Sequence, residues 1–113
     1  MEPIARPALD DALRKLWDKF LPQMEERVAL LEEAGAALDA GLLTSAQRNA
    51  ANAAAHKLAG VLGSFGLTRG TILAREAEIL YSGEPQTDPD AADQLRTLAV
   101  QLRAMIEARK ASC

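Results

Sequence analysis

Apolar residues recur every three or four positions along most of this 113-residue chain. That spacing places side chains on one face of a helix. Alanine and leucine are abundant, whereas aromatic residues make up only 4% of the chain and β-branched residues are sparse. This balance favours helices over sheets. The sequence therefore predicts an all-α protein in which each helix buries one apolar face.

Breaks in the apolar pattern divide the chain into helices. Pro22 interrupts the first pattern, Gly41 and Gly66 are candidate C-terminal caps, and Asp88-Pro89 is a strong helix start. After an extended leader over residues 1–7, we predict helices over residues 8–20, 22–40, about 46–64, about 68–81 and about 89–110. Alternatively, the first two helices form one long helix kinked at Pro22. The short connections favour an antiparallel four-helix bundle with an additional N-terminal helix, in a single domain over residues 1–113.

Three local details complete this expectation. Ser45 is favoured over Thr44 as the N-cap of the third helix, and Thr68 is expected to cap the fourth. Residues 82–87 are expected to form a polar loop. The apolar stripes are expected to be buried: Leu9, Leu13, Leu16, Trp17 and Phe20; Met24, Val28, Leu31, Ala34 or Gly35, and Leu38; Ala51, Ala54, Ala55, Leu58, Leu62 and Phe65; Leu67, Ile72, Leu73, Ala77, Leu80 and Tyr81; and Ala92, Leu95, Leu98, Ala99, Leu102, Met105 and Ile106.

Charge and composition exclude several classes of function. The net charge of −3 leaves no basic surplus to neutralise phosphates, which argues against a nucleic-acid partner. No apolar run approaches the ~20 residues of a membrane span, and the N-terminus lacks the order of a secretory signal. The single cysteine, Cys113, cannot form an internal disulfide. We therefore expect a cytoplasmic protein without a membrane segment.

The third helix carries the only histidine, His56. At ~100° per residue, His56 lies about 200° from the apolar Leu58 and should face solvent. The residues on its own stripe are mostly small: Asn49, Asn52, Ala53, Ala59, Gly60 and Gly63. A neutral imidazole is a competent phosphoryl acceptor. Lys57 could compensate the charge of a phosphoryl group, and Gly60 would leave room for a partner's active site.

Plainer interpretations of these residues stay open. The two glycines could only permit tight helix packing, Lys57 could be a solvated lysine, and arginines at 48, 69 and 75 are expected to be solvated or in ion pairs. A metal site is not expected, because one histidine and one cysteine supply too few ligands. No nucleotide-binding loop is present, since no Gly-Lys-Ser/Thr sequence follows the glycines.

The stretch from His56 to Gly60 (His-Lys-Leu-Ala-Gly), continued by Gly63-Ser64-Phe65-Gly66-Leu67, resembles the signature of histidine-containing phosphotransfer (HPt) domains. Members of this family are four-helix bundles that relay phosphoryl groups in two-component phosphorelays. The resemblance implies His56 as the phosphoacceptor, with Lys57 and Gly60 at motif positions. The family often has a second lysine three residues after the histidine, where this chain has Ala59.

This resemblance implies a phosphocarrier rather than an autonomous enzyme. The phosphoryl group would come from a receiver-domain aspartate, or from a sensor or hybrid histidine kinase, and would pass to a response regulator. The receiver would supply Mg²⁺, so the chain would need no cofactor of its own, and a monomer is expected. Two alternatives are a docking module that binds a receiver without accepting phosphate and the dimerisation domain of a sensor kinase. Lys57 argues against the latter, because an acidic residue commonly follows the histidine there.

Overall fold

The computed structural model describes residues 5–82 and 89–112, and in those ranges it contains four helices and no strand. The helices are α1 (Ala5–Asp39), α2 (Ser45–Ser64), α3 (Thr68–Leu80) and α4 (Pro89–Ser112). α1 packs on α2 and α4, and α3 packs on the same two helices, so that α1 and α3 are diagonal. The hydrogen bonds between α1 and α4, and those between α2 and α3, join positions that run in opposite directions along the chain. This confirms the antiparallel four-helix bundle.

The N-terminal helix expected before the bundle is not separate. α1 is continuous from Ala5 to Asp39 with Pro22 inside it, so the single long helix is the alternative that the structure contains. Pro22 is exposed, and the buried residues Trp17 and Met24 on either side of it keep the same face towards the core. Packing of both segments offsets the hydrogen bond that proline removes. The extended leader is wrong for residues 5–7, which are helical, and residues 1–4 lie outside the described ranges.

The N-caps of α2 and α3 differ from the sequence expectation. Thr44, not Ser45, caps α2: its side chain accepts from the backbone N–H of Gln47, and the Gln47 side chain accepts from the Thr44 N–H. This reciprocal pair is a capping box. α3 has Leu67 at its N-cap position without a side-chain hydrogen bond, so Thr68 is the first helical residue rather than the cap.

The expected glycine caps are present. Gly41 and Gly66 have φ values of +72° and +74°, a left-handed conformation that glycine adopts without a steric penalty. At the end of α2, the Leu67 N–H bonds the Leu62 carbonyl and the Gly66 N–H bonds the Gly63 carbonyl. This is a Schellman motif, which reverses the chain tightly between α2 and α3.

The core lies on the predicted stripes of all four helices. Its largest fully buried side chains are Trp17, Met24, Val28, Leu58, Leu62, Leu102 and Ile106. Three predicted core residues are exposed instead, namely Leu9 (57%), Leu16 (44%) and Ile72 (49%). Trp17 packs on Phe65 at the end of α2, so the part of α1 before Trp17 continues past that end. Ile72 lies on the outer side of α3, about 200° from the buried Ala74.

Ion pairs join α1 to α4 along the outside of the core. Arg103 binds Glu32 through two hydrogen bonds of 2.7 and 2.8 Å, and Lys110 contacts Glu25 at 3.0 Å. The hydrogen bond from Arg103 lowers the pKa of Glu32 below its ordinary value. These pairs follow the antiparallel register of the two helices and hold it in place.

The connection between α3 and α4 is described only in part. Of the predicted polar loop over residues 82–87, Ser82 is described and the rest lies outside the described ranges, as does the predicted cap Asp88. Pro89 is the first residue of α4, as the sequence predicts. Within the described ranges, none of the helices combines the length and the apolar character needed to span a membrane.

Candidate functional site

The hairpin of α2 and α3 positions the candidate site. Beyond the Gly66 turn the two helices run side by side in opposite directions. Asn52 Nδ2 donates to the Glu78 carbonyl at 2.8 Å, and Thr71 Oγ1 donates to the Ala59 carbonyl at 3.0 Å. These two hydrogen bonds lie about two helical turns apart along the helix pair, and they set which residues of α3 face which residues of α2.

His56 lies at the outer edge of this helix pair, and its side chain is 69% exposed. Its Nδ1 atom is 2.8 Å from Oε2 of Glu78, whose side chain is only 26% exposed. An ionised carboxylate only accepts hydrogen bonds, so Nδ1 must be the donor. The neutral ring then carries its lone pair on Nε2. Glu78 thereby selects both the tautomer and the orientation of the ring.

Glu78 is a candidate site residue that the sequence analysis does not identify, because it lies outside the apolar stripe of the fourth predicted helix and belongs to no motif. A signal for it exists in the chain. His56 and Glu78 are each 11 residues from Leu67, at the tight turn between α2 and α3. An antiparallel pair joined by such a turn brings positions of equal separation opposite each other. The predicted turn at Gly66 could therefore have located the residue that faces His56.

The two glycines after His56 have different roles. A methyl group added at Gly60 would meet nothing within 4 Å, whereas one added at Gly63 would lie 3.1 Å from Thr71 Oγ1. Gly63 therefore permits close packing of α2 against α3. Gly60 leaves open space one helical turn beyond His56, on the exposed side of α2.

The other predicted site residues separate into exposed and buried positions. Lys57, Asn49 and Ala53 are exposed, and Lys57 lies about 100° around α2 from His56. Asn52 is half-buried and its amide nitrogen is engaged by the backbone of α3. Ala59 is only 3% exposed, so its place on an accessible docking surface is wrong. It faces α3, because its carbonyl accepts from the Thr71 hydroxyl.

The arrangement offers a nucleophile rather than a ligand shell. Throughout the part of the chain that the structure describes, no group of three His, Cys, Asp or Glu side chains could hold a metal ion. What the site provides is an outward-facing imidazole nitrogen, a carboxylate bound to the opposite ring nitrogen, and open space along the adjacent helical turn.

Comparison with known proteins agrees with this chemistry. A family model described as Hpt domain matches residues 15–112, a range that includes all the residues of the site. Protein RcaC of Microchaete diplosiphon is 34% identical over 95 residues, which are 84% of this chain and 15% of that protein. The chain thus spans only a small part of this relative's length. No solved structure matches it. Since the Hpt match covers nearly the whole bundle, the chain belongs to the Hpt domain family of two-component phosphorelays.

Proposed function

We propose that this protein is a phosphorelay intermediate that carries the phosphoryl group on Nε2 of His56. It accepts the group from the aspartyl phosphate of a receiver domain, or from a sensor or hybrid histidine kinase, and passes it to a response regulator. The hydrogen bond between His56 Nδ1 and Glu78 carries this proposal, because it leaves Nε2 unprotonated in a side chain that is 69% exposed. The family's phosphocarrier role supports it.

The transfer step follows from this tautomer. The Nε2 lone pair attacks phosphorus, the N–P bond forms, and the P–O bond to the receiver's aspartate breaks to release its carboxylate. The proton on Nδ1 stays in place, so no base is needed to remove it. The ring gains positive charge as the bond forms, and the adjacent Glu78 carboxylate stabilises that charge. The reverse reaction returns the group to a receiver through the same contacts.

The exposed residues around His56 form the proposed docking surface, which we define as Asn49, Ala53, His56, Lys57 and Gly60. Their mostly small side chains and the open space at Gly60 let a receiver bring its aspartyl phosphate close to Nε2. Phosphoryl transfer depends mainly on such positioning and on charge compensation. The receiver brings its own bound Mg²⁺, so this chain needs no cofactor of its own. It acts as a cytoplasmic monomer.

Transfer of label from a phosphorylated receiver tests the proposal. A receiver carrying radioactive aspartyl phosphate is mixed with the wild type and, separately, with the His56→Gln variant. The expected product is an acid-labile, base-stable label on the wild type alone. Binding of the receiver without any gain of label would instead support a docking module that does not accept phosphate.

The oligomeric state of the protein without a receiver tests the sensor-kinase alternative. A dimerisation domain forms its bundle from two chains, whereas here the four helices of one chain enclose the core residues Leu58, Leu62 and Leu102. We therefore expect a monomer by light scattering at concentrations that support transfer. A stable dimer would favour the sensor-kinase alternative.

A further inference from the structure

We propose that Arg75 of α3 binds the phosphoryl group on His56 and supplies the positive charge that a second lysine often supplies in this family. The inference rests on the proposed function, since it concerns the phosphorylated form of the same site. The phosphorylated site has more negative charge than the nearby positive charge can compensate. A phosphoryl group adds up to two negative charges beside the Glu78 carboxylate, and position 59 holds a buried alanine.

Lys57 covers only one side of His56. It is the next residue along α2, so it lies about 100° around the helix, whereas α3 lies on the other side of the ring. Glu78 marks that second side through its contact with Nδ1. A cation able to meet the phosphoryl oxygens from the α3 side must therefore come from α3 itself.

Arg75 occupies the required position on α3. It precedes Glu78 by three residues, which places it about 4.5 Å along the helix axis towards the turn and about 60° around the helix. In the antiparallel register this level lies between His56 and Gly60, at the open space where an added methyl group at Gly60 meets nothing within 4 Å. The guanidinium can extend over that space, because no side chain at Gly60 fills it.

The side chain of Arg75 is also available for binding in the unphosphorylated protein. Arg75 is exposed, and its side chain forms no hydrogen bond or ion pair with any residue that the structure describes. Arginine and glutamate three residues apart on a helix can pair, but the Glu78 carboxylate is bound to His56. The planar guanidinium suits phosphoryl oxygens, which it can bind through two hydrogen bonds at once.

A bound guanidinium should slow hydrolysis of the phosphohistidine. Hydrolysis passes through a metaphosphate-like transition state that carries less charge on the phosphoryl oxygens than the ground state does. A cation on those oxygens therefore stabilises the ground state more than the transition state. Loss of Arg75 should shorten the lifetime of the phosphorylated protein even when no receiver is present.

Arg69 provides a matched control. It is an exposed arginine on the same helix, but it precedes Glu78 by nine residues and so lies about 180° around α3 from it. It lines the groove between α3 and α4 together with Asp93 and Thr97. Arg69→Gln therefore makes the same change in net charge without touching the site.

The experiment measures the half-life of phosphohistidine in the full chain. The wild type, Arg75→Gln, Arg75→Lys and Arg69→Gln are each phosphorylated with phosphoramidate, whose P–N bond breaks to release ammonia as the bond to Nε2 forms. If phosphoramidate is inactive, a phosphorylated receiver labels the protein and is then removed. We expect Arg75→Gln to shorten the half-life about three- to tenfold, Arg75→Lys to restore part of it, and Arg69→Gln to leave it unchanged.

Phosphorus NMR gives a second readout that does not depend on the chemical step. A guanidinium beside the phosphoryl group lowers the pKa of its second ionisation, so Arg75→Gln should raise that pKa while Arg69→Gln should not. Equal half-lives and equal phosphoryl pKa values for the two glutamine variants would overturn the role of Arg75 and leave the proposed function standing. Failure of His56 to take up phosphate from either donor would instead overturn the proposed function, and this inference with it.

Discussion

At the scale of single residues, the chemistry of the site depends on the partner of His56 rather than on histidine alone. A free imidazole exchanges its proton between the two ring nitrogens and turns about its side-chain bonds. The 2.8 Å contact with Glu78 selects one tautomer and one orientation, which leaves Nε2 available as a nucleophile. The exposed fraction of 69% then gives a partner access to that atom.

This assignment predicts different results for two substitutions of Glu78. Glu78→Ala removes the acceptor, and we expect phosphoryl transfer to slow about tenfold because the ring is no longer oriented. Glu78→Gln keeps an amide oxygen that can accept from Nδ1 but loses the charge, so a smaller loss of about two- to threefold is expected. Transfer kinetics and nitrogen NMR of the imidazole would measure both effects. Equal rates for the two variants and the wild type would contradict the orienting role.

Gly60 allows a second prediction at this scale. Gly60→Gln places a long side chain in the open space beside His56, and we expect transfer from a receiver to fall about tenfold or more. Unfolding in urea should show equal or greater stability, because glycine within a helix costs about 1 kcal/mol relative to better helix formers. Gly60→Ala is the control that adds helix propensity with little bulk. Normal transfer in Gly60→Gln would count against close approach at this position.

At the scale of secondary-structure elements, the Gly66 turn matters most because it sets the register of α2 against α3. Its φ of +74° is costly for any residue with a Cβ atom, by about 1–2 kcal/mol. We therefore expect Gly66→Ala to lower the free energy of unfolding by about that amount, measured by urea denaturation. Gly60→Ala, in the same α2–α3 hairpin, should shift stability in the opposite direction. An unchanged free energy of unfolding in Gly66→Ala would show that the turn relaxes to accept a side chain.

The helix ends differ in whether the local sequence is enough to locate them. Thr44 is followed three residues later by Gln47, the spacing of a capping box, whereas Ser45 is followed by Arg48. The correct cap of α2 was therefore recognisable from local sequence. The single helix through Pro22 was not, because it depends on whether the segments on both sides pack in the same direction.

At the scale of the whole molecule, Tyr81 reports on the integrity of the bundle. It is the only tyrosine, it is 2% exposed, and its hydroxyl has no hydrogen-bond partner among the described atoms. Burial raises the pKa of Tyr81 to about 12. The unfolded chain ionises its tyrosine from about pH 10 upward, whereas the folded protein ionises it only near pH 12.

The sign of this shift predicts how stability changes with pH. The contribution of protonated Tyr81 to the free energy of unfolding is fully present below pH 10. It is lost as pH rises towards 12, because in that range the unfolded state has released the proton and the folded state has not. A shift from 10 to about 12 corresponds to at most about 3 kcal/mol. Tyrosinate absorbance should titrate near pH 12, and Tyr81→Phe should remove this part of the alkaline loss of stability. Titration near pH 10 in the folded protein would contradict the burial.

The amino-acid sequence by itself determined the helical class, the main apolar stripes, the turn at Gly66 and the outward position of His56. These follow from interactions within one helix or one turn, where ~100° per residue and the conformational freedom of glycine suffice. The resemblance of the residues around His56 to HPt domains pointed to the correct family for the same local reason.

Only the tertiary structure decided which residues meet across helices. Helical periodicity gives the angle of a residue within its own helix, but the rotation of that helix towards its neighbours depends on how all four pack. For that reason Glu78 went unrecognised, Ala59 was placed on the surface although it is buried, and Gly60 and Gly63 could not be told apart. The packing of α3 against α2 brings the Glu78 carboxylate to Nδ1 of the exposed His56, a contact that no single helix could reveal.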